Sequence, residues 1–187
     1  MADLSARRPV RVLSADEINQ MLASHQLYLK TEYHEGHRAD FSSADLTGLD
    51  FAGLDLRGIK MDRAVLREAT FIGANLRGAN LIGATAQEGR FDRADLSRAR
   101  LSGANLEEAN LFKATLDGAD LARAFLNGAQ FLNCAQLVVT RNWQSAFRDE
   151  ALACGASIPG RKAGIGRHST DQDPGLTQAD FARGGQE

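Results

Sequence analysis

The chain is poor in the residues that mark several common classes of protein. It has two cysteines, three prolines and one tryptophan among 187 residues, and aromatic residues make up 6% of it. Two cysteines are too few for a small disulfide-rich secreted protein, so we expect both thiols to be reduced. No apolar run approaches the ~18–20 residues of a membrane helix, and no signal-peptide pattern begins the chain. These absences predict a soluble cytoplasmic protein with no membrane partner.

The chain also lacks a dominant charge. Its 22 Lys and Arg residues nearly balance 24 Asp and Glu residues, which leaves a formal net charge of −2. A protein that binds nucleic acid directly needs a basic patch or stripe to neutralise phosphates. The composition therefore argues against direct nucleic-acid binding.

A period of five runs through the middle of the chain. Every fifth position from Phe41 to Phe131 is held by Leu or Phe, except for Met61 and Ala86. The residue two places before each of these positions is Ala, except at Leu49, Leu54, Ile59 and Gly89. Asp or Asn often precedes the large residue, and Gly often follows it by two positions.

Neither a helix nor a strand keeps a period of five on one face. A step of five rotates a helix by about 140°, and on a strand successive large residues would point to opposite faces. A backbone that turns a corner at every fifth residue directs each large residue towards one axis, with the small Ala beside it. Phe51, Phe71 and Phe91 recur at every fourth large position, so stacking their rings needs a coil of four sides. The prediction is an all-β solenoid of about five coils, roughly 23 Å long.

The repeating unit Ala-(Asp/Asn)-Leu-X-X resembles that of the pentapeptide-repeat proteins. It is seen in Ala74-Asn75-Leu76-Arg77-Gly78 and in Ala104-Asn105-Leu106-Glu107-Glu108. This resemblance implies a right-handed quadrilateral β-helix in which the large residue is central and the Ala points inward. The residues alone lead to the same four-sided winding. The resemblance implies a protein of bacterial type, and some members of the family imitate duplex DNA and bind or protect type II topoisomerases such as gyrase.

Two helices are expected to cap the solenoid. Ser14 and Glu17 form a capping box, which predicts a helix over about 15–30. Thr140 would cap a second helix with Trp143, Ala146, Phe147 and Ala151 on one face, ended by Gly155. Caps are favoured over partner-binding helices because bare solenoid ends pair with other chains. The predicted organisation is an N-terminal segment (1–36), a β-helix (37–136), a C-terminal cap (137–155) and a disordered Gly-rich tail (156–187).

We find no catalytic or metal-binding constellation, so no enzyme activity or cofactor is predicted. His34 and His37 are separated by a step of three, beside Gly36, whereas a zincin helix needs a step of four. Cys134 falls in an inward Ala position with no activating residue near it in sequence. The segment 160–168 lacks the spacing of a phosphate loop, and His168, Ser169 and Asp171 lie in the predicted tail.

Function is therefore expected on the outer faces. One face carries Glu68, Glu88, Glu107 and Glu108 with Asp45 against Arg67 alone, a balance of −4. The face of the Phe column exposes Ile72, Phe112 and Leu132, which are a contact site, or are covered by a cap helix or by a second copy in a homodimer. The primary hypothesis is a non-enzymatic module that binds another protein through these two faces. The alternative is a DNA mimic that binds topoisomerase.

Overall fold

The computed structural model describes residues 10–152 and 154. The predicted tail (156–187) lies outside the described residues. Helix α1 (Ala15–Lys30) is the helix expected from the capping box. The Glu17 amide donates to Ser14 Oγ (3.2 Å), and the Ser14 amide donates to Glu17 Oε2 (2.7 Å). Because this exchange satisfies two unpaired amides, the helix begins here. Within the described range, no helix combines the length and apolarity that crossing a bilayer requires.

Parallel bridges join each coil of the chain to the next in a constant register. One column of bridges runs Asp40, Lys60, Asn80, Arg100 and Asp120. Because each step of this register passes four corners, every coil has four sides. On the first coil we name them the first side (39–43), the second (44–48), the third (49–53) and the fourth (54–58). The same names apply to the residues stacked above them. Each side has one bridged residue before the next corner, so the described residues pair through isolated bridges.

Each corner is a tight turn closed by a backbone hydrogen bond. At the first corner the Ala44 amide donates to the Phe41 carbonyl (3.0 Å), and Ser43 has a left-handed backbone (φ 58°). A positive φ at the third turn position is typical of a type II turn, which favours Gly there. Gly48 adopts it with φ 68°. This requirement explains the Gly that recurs two positions after the large residue.

The Asp or Asn before each large residue also serves the turn. Asp50 Oδ1 accepts from the Ala52 amide (2.9 Å), and Asn105 Oδ1 accepts from the Glu107 amide (2.9 Å). The same side-chain bond recurs along the rod at Asp40, Asp45, Asp55, Asn75, Asn80, Asp95, Asn110 and Asp120. Asp and Asn are equivalent in this bond because both accept through Oδ1.

Large and small side chains fill the core as the period predicts. All the central positions from Phe41 to Leu126 are buried. The rings of Phe51 and Phe71 lie 5.0 Å apart with 9° between their planes, and those of Phe71 and Phe91 lie 5.0 Å apart at 8°. The Phe91 ring occupies the space beside Gly89, where an added Cβ would come within 2.9 Å of Cε2. The missing side chain at this inward position thus accommodates the last ring of the stack.

The repeat ends one unit earlier than its sequence period suggests. Phe131 is 62% exposed and Leu132 only 8% exposed, so the expectation that Phe131 points inward and Leu132 outward is wrong. The chain leaves the regular path here, because Phe131 is left-handed (φ 58°) and helix α2 (Cys134–Val138) follows at once. Leu137 of α2 is fully buried against the core. The Gln136 amide group donates to the carbonyls of Leu111 (3.1 Å) and Ala114 (3.0 Å), which closes this end of the ladder.

The predicted helix from Thr140 to Gly155 does not form in the described residues, and that prediction is wrong. After α2 come two short 3₁₀ turns, Trp143–Ser145 and Glu150–Leu152. Arg141 instead bridges to Asp120, and Phe147 to Phe125, so the segment continues the ladder as an irregular, slightly longer coil. This pairing satisfies backbone groups of the last regular coil that a separate helix would leave open, because the amides of Leu121 and Leu126 donate to the carbonyls of Arg141 (3.0 Å) and Phe147 (2.7 Å).

The two cysteines form a disulfide, so the expectation of reduced thiols is wrong. Cys134 at the start of α2 is bonded to Cys154, with their Cα atoms 5.5 Å apart. The expected inward Ala position of Cys134 is also wrong, because α2 has replaced the repeat there. Between the cysteines, the buried Arg148 donates to the carbonyls of Trp143 (3.1 Å), Ala146 (2.9 Å) and Leu152 (2.8 Å). This guanidinium and the disulfide together hold the C-terminal segment in place.

Helix α1 covers the other end of the core through a buried histidine. His25 is 0% exposed, its Nδ1 accepts from the Ala39 amide (3.3 Å), and its Nε2 has no partner among the described residues. Burial lowers the pKa of His25, and Arg38 and Arg57 lower it further, while Asp55 raises it. A proton on Nδ1 would break the bond to Ala39 and bury a charge.

We expect the protein to lose stability as the pH falls through about 6.5, the ordinary histidine pKa. The unfolded chain then takes up a proton that the folded chain, with its lowered pKa, still refuses, so protonation favours unfolding. The measurement is the urea midpoint at several pH values between neutral and mildly acidic. The His25→Gln variant, which keeps a hydrogen-bond acceptor but does not titrate, should show a weaker dependence. Equal slopes in both proteins would contradict this account.

Candidate interaction surface

Three glutamates lie one above another on the second side. Glu68, Glu88 and Glu108 occupy the same corner position on successive coils, and all three are exposed. Each has a left-handed backbone, with φ of 55°, 57° and 58°. We call Glu68, Glu88, Glu107 and Glu108 the acidic ladder. The ion pairs within the described range lie elsewhere, at Arg57–Asp55, Lys60–Asp40 and Arg90–Asp92, so these four carboxylates have no basic partner there.

Glu107 is held in place beside the corner glutamates. Its Oε2 accepts from Gln87 Nε2 (3.1 Å) on the coil before it and from Asn105 Nδ2 (3.2 Å) on its own coil. A cleft of about 300 Å³ lies between these coils, lined by Gln87, Glu88, Glu107, Glu108, Asn127 and Gly128. Asn127 Oδ1 is buried without a partner among the described residues. The cleft therefore presents acceptors and negative charge, which suit a cationic side chain.

An aromatic pair lies on the same side, beyond the acidic ladder. Phe125 is 39% exposed and bridges to Asn105, the residue that also bonds Glu107. Its ring stacks on Phe147 with centroids 4.8 Å apart and 14° between the planes. The five-residue period of the sequence does not predict this pair, because Phe147 reaches the second side only through the irregular last coil.

The predicted apolar line on the third side is not continuous. Ile72 and Phe112 are half-buried, and Leu132 is buried in the end of the core. Phe131 takes the outer place instead, with its ring edge-on to Phe112 at 5.4 Å, and Lys113 Nζ lies 5.1 Å from the Phe112 ring. A sequence signal for this change exists in a second capping box. The Gln136 amide donates to Asn133 Oδ1 (3.0 Å), and the Asn133 amide donates to Gln136 Oε1 (3.1 Å).

The histidines considered as metal ligands lie in a loop. His34 is exposed and its Nδ1 lies 2.8 Å from the Thr31 carbonyl of the turn that ends α1. No group of three or more His, Cys, Asp or Glu residues in the described part of the chain could hold a metal ion. The segments 160–168 and 168–171 lie outside the described residues.

Comparison with known proteins agrees with this architecture. A family profile for pentapeptide repeats matches eight copies, over residues 37–63, 51–85, 59–98 and 90–128. No curated protein matches the chain. Among solved structures, alr5209, a pentapeptide repeat protein from Nostoc PCC 7120, is 26% identical, over 76% of this chain and 91% of that one, with a TM-score of 0.48.

Two further solved structures are similar over a smaller share of the chain. At2g44920, a pentapeptide repeat protein from the Arabidopsis thaliana thylakoid lumen, is 31% identical over 50% of this chain and 72% of that one, with a TM-score of 0.27. QnrB1, a plasmid-mediated fluoroquinolone resistance protein, is 17% identical over 61% of this chain and 79% of that one, with a TM-score of 0.20. With its four-sided ladder and its matched repeats, the chain belongs to the pentapeptide-repeat family.

Proposed function

We propose that this protein is a non-enzymatic interaction module whose acidic ladder binds a protein with exposed basic side chains. The observation that supports it is the stacking of Glu68, Glu88 and Glu108 on adjacent coils without basic partners in the described structure. Like charges repel at this spacing. A partner that supplies positive charge offsets the repulsion. Phe125 extends the same surface with apolar area.

The rod suits this role because its backbone is fixed on both sides. The Asn105 amide donates to the Ala84 carbonyl (2.8 Å), and the Leu106 amide donates to the Phe125 carbonyl (2.8 Å). Such pairing above and below holds the glutamates at set positions before any partner arrives. Binding then needs little ordering of this protein, which favours affinity. Phe112 and Phe131 on the third side offer a second, apolar contact.

The test removes two negative charges from the acidic ladder and compares the effect with the removal of two negative charges from the fourth side. Glu88→Gln/Glu108→Gln should weaken capture of cellular partners, measured by quantitative mass spectrometry of a pull-down, by about tenfold or more. The control Asp95→Asn/Asp117→Asn removes two charges from the fourth side, and the Asn at 95 keeps the bond that Asp95 Oδ1 accepts from Ser97. It should leave capture unchanged. Equal capture by all three proteins would contradict the proposal.

The alternative function is a DNA mimic that binds topoisomerase. The rod and its one acidic side favour it, but a duplex of ~23 Å carries on the order of fourteen negative charges. Residues 37–136 hold 13 acidic and 12 basic residues, a net charge of −1. A gyrase supercoiling assay separates the two functions. Inhibition at micromolar protein that is lost on reversing Glu107 and Glu108 would favour the mimic, and its absence would exclude it.

The disulfide bears on where the protein works. Structural disulfides persist in oxidising compartments and are rare in the cytosol. The Cys134–Cys154 bond therefore argues for an oxidising compartment and against the cytoplasmic location that the composition favours.

The apolar contact at Phe131 and Phe112 has an alternative occupant. A second copy of this chain, in a homodimer, would cover these two rings in place of a different protein.

A further inference from the structure

The first coil is unusual in holding an aspartate before the large residue on every side. These are Asp40, Asp45, Asp50 and Asp55. The next coil has Lys60, Val65, Thr70 and Asn75 at the equivalent positions. The turn does not require the charge, because Asn75 and Asn105 accept the same backbone bond. The N-terminal edge of the solenoid is therefore ringed by negative charge that its own turns do not need.

Inner coils pair their backbone with the coil before them, and the first coil has none. On the third side, for example, the Thr70 amide donates to the Leu49 carbonyl (2.9 Å). The Asp50 amide corresponds to the Thr70 amide one coil earlier, and it faces the open end of the solenoid. A bare strand edge of this kind readily adds another extended segment unless something covers it.

Two other sides of the N-terminal edge are already bonded by residues of this chain. The second side is paired in parallel by an extended basic residue, Arg11. The Arg11 amide donates to the Ser43 carbonyl (2.8 Å), and its carbonyl accepts from the Asp45 amide (2.9 Å). Its guanidinium donates to the Asp40 carbonyl (2.9 Å). On the fourth side, Gln26 of helix α1 donates to the Asp55 carbonyl (2.8 Å).

The third side has the same edge without such a cover in the described structure. The Asp50 amide and the carbonyls of Asp50 and Ala52 make no hydrogen bond with any described residue. Asp50 and Ala52 are exposed. The Asp50 carboxylate accepts from the Ala52 amide (2.9 Å) and pairs with none of the described cations.

We propose that the third side of the N-terminal edge binds an extended segment of a partner protein by strand addition, with a Lys or Arg aligned with Asp50. The main chain of the segment bonds the free amide and carbonyls of Asp50 and the carbonyl of Ala52. Its basic side chain pairs with the Asp50 carboxylate. Like Arg11 on the second side, the segment runs parallel to the edge and accepts from the amide of the Asp before the large residue. It differs in its side chain, which pairs with a carboxylate, whereas the Arg11 guanidinium donates to the Asp40 carbonyl. The contact is separate from the acidic ladder, since it uses the end of the rod and the backbone.

The probe is a fluorescein-labelled peptide with the sequence of residues 8–14, Arg-Pro-Val-Arg-Val-Leu-Ser, which includes the amide three residues after the aligned Arg. We expect saturable binding to the full chain by fluorescence anisotropy. Hydrogen exchange at the Asp50 amide should slow about tenfold with free peptide at ten times its Kd. A peptide N-methylated at the Val after its second Arg keeps its charge but loses the donor to the Asp50 carbonyl, and should not bind. Equal binding of both peptides would overturn strand addition.

Two protein variants test the charge. Asp50→Asn keeps the bond to Ala52 and removes the carboxylate, and should weaken the peptide about three- to fivefold. Asp95→Asn makes the same change where the backbone is already paired, since the Asp95 amide donates to the Ala74 carbonyl (2.9 Å). It should change nothing. Slower exchange at Asp45 alone would mean that the peptide displaces Arg11, and would overturn the assignment to the third side.

Discussion

The Phe71→Ala variant will unfold with a free energy about 3–5 kcal/mol below that of the wild type. Phe71 is fully buried and lies between two other rings, with centroid distances of 5.0 Å on each side. Alanine leaves a cavity in the middle of the stack that the paired coils cannot close, because their ladder fixes the distance between them. The measurement is urea unfolding followed by far-ultraviolet circular dichroism.

A matched variant separates the cavity from the loss of an aromatic ring. Leu111 holds the equivalent position two coils after Phe71 and is also buried. Phe71→Leu should therefore cost less than half of what Phe71→Ala costs. A loss within about 0.5 kcal/mol for the alanine variant, the range typical of surface sites, would show that Phe71 is not in a packed core.

Reduction of Cys134–Cys154 will lower the free energy of unfolding by about 3 kcal/mol, as expected for a loop of this size. The two cysteines have a sequence separation of 20, and the bond closes a loop that contains Trp143 and Arg148. Without the disulfide the unfolded chain gains conformational entropy, which favours unfolding. In the folded chain, the turn that carries the Leu152 carbonyl is no longer linked to helix α2. That carbonyl accepts from Arg148 Nε (2.8 Å), so the buried guanidinium also loses a partner.

The test compares unfolding with and without a strong reductant in two proteins. The wild type should lose stability when the reductant is added. The Cys134→Ser/Cys154→Ser variant should match the reduced wild type and be insensitive to the reductant. A wild type whose unfolding midpoint does not change on reduction would contradict this role of the disulfide.

The regular part of the fold could be predicted because each repeat imposes the same local constraint. Large side chains at every fifth position exclude a helix and a strand, and Phe51, Phe71 and Phe91 fix the coil at four sides. The bridges from Asp40 to Lys60 and onward have the expected register. The acidic ladder follows from the same arithmetic, since residues one coil apart stack.

The C-terminal segment could not be predicted in this way because tertiary pairing outweighs its local signals. Thr140 to Ala151 has the pattern of an amphipathic helix, yet the open ladder above Ala119 takes Arg141 into pairing instead, with a 2.7 Å bond between them. Phe131 points outward and Leu132 inward because helix α2 follows them. The capping box at Asn133 indicates this helix, but five residues are too few to give a recognisable helical pattern in the sequence.

The disulfide and the aromatic surface depend on this same irregular coil. Cys134 and Cys154 approach one another only because the chain between them folds back around Arg148. Phe125 is a variable position of the repeat, and it gains a stacked partner only when Phe147 continues its column. Neither contact has a periodic signature in the sequence.

The four-sided winding is tested most directly by scalar couplings across hydrogen bonds in NMR. The amides of Phe51, Phe71 and Phe91 donate to the carbonyls of Thr70, Arg90 and Asn110 at 2.7, 2.7 and 2.8 Å. We expect a coupling between each of these amide nitrogens and the carbonyl carbon of its acceptor. A coupling from the Phe51 amide to the Val65 carbonyl would indicate three sides, and couplings to the fourth preceding residue would indicate helices. Either result would contradict the solenoid and the surfaces assigned to it.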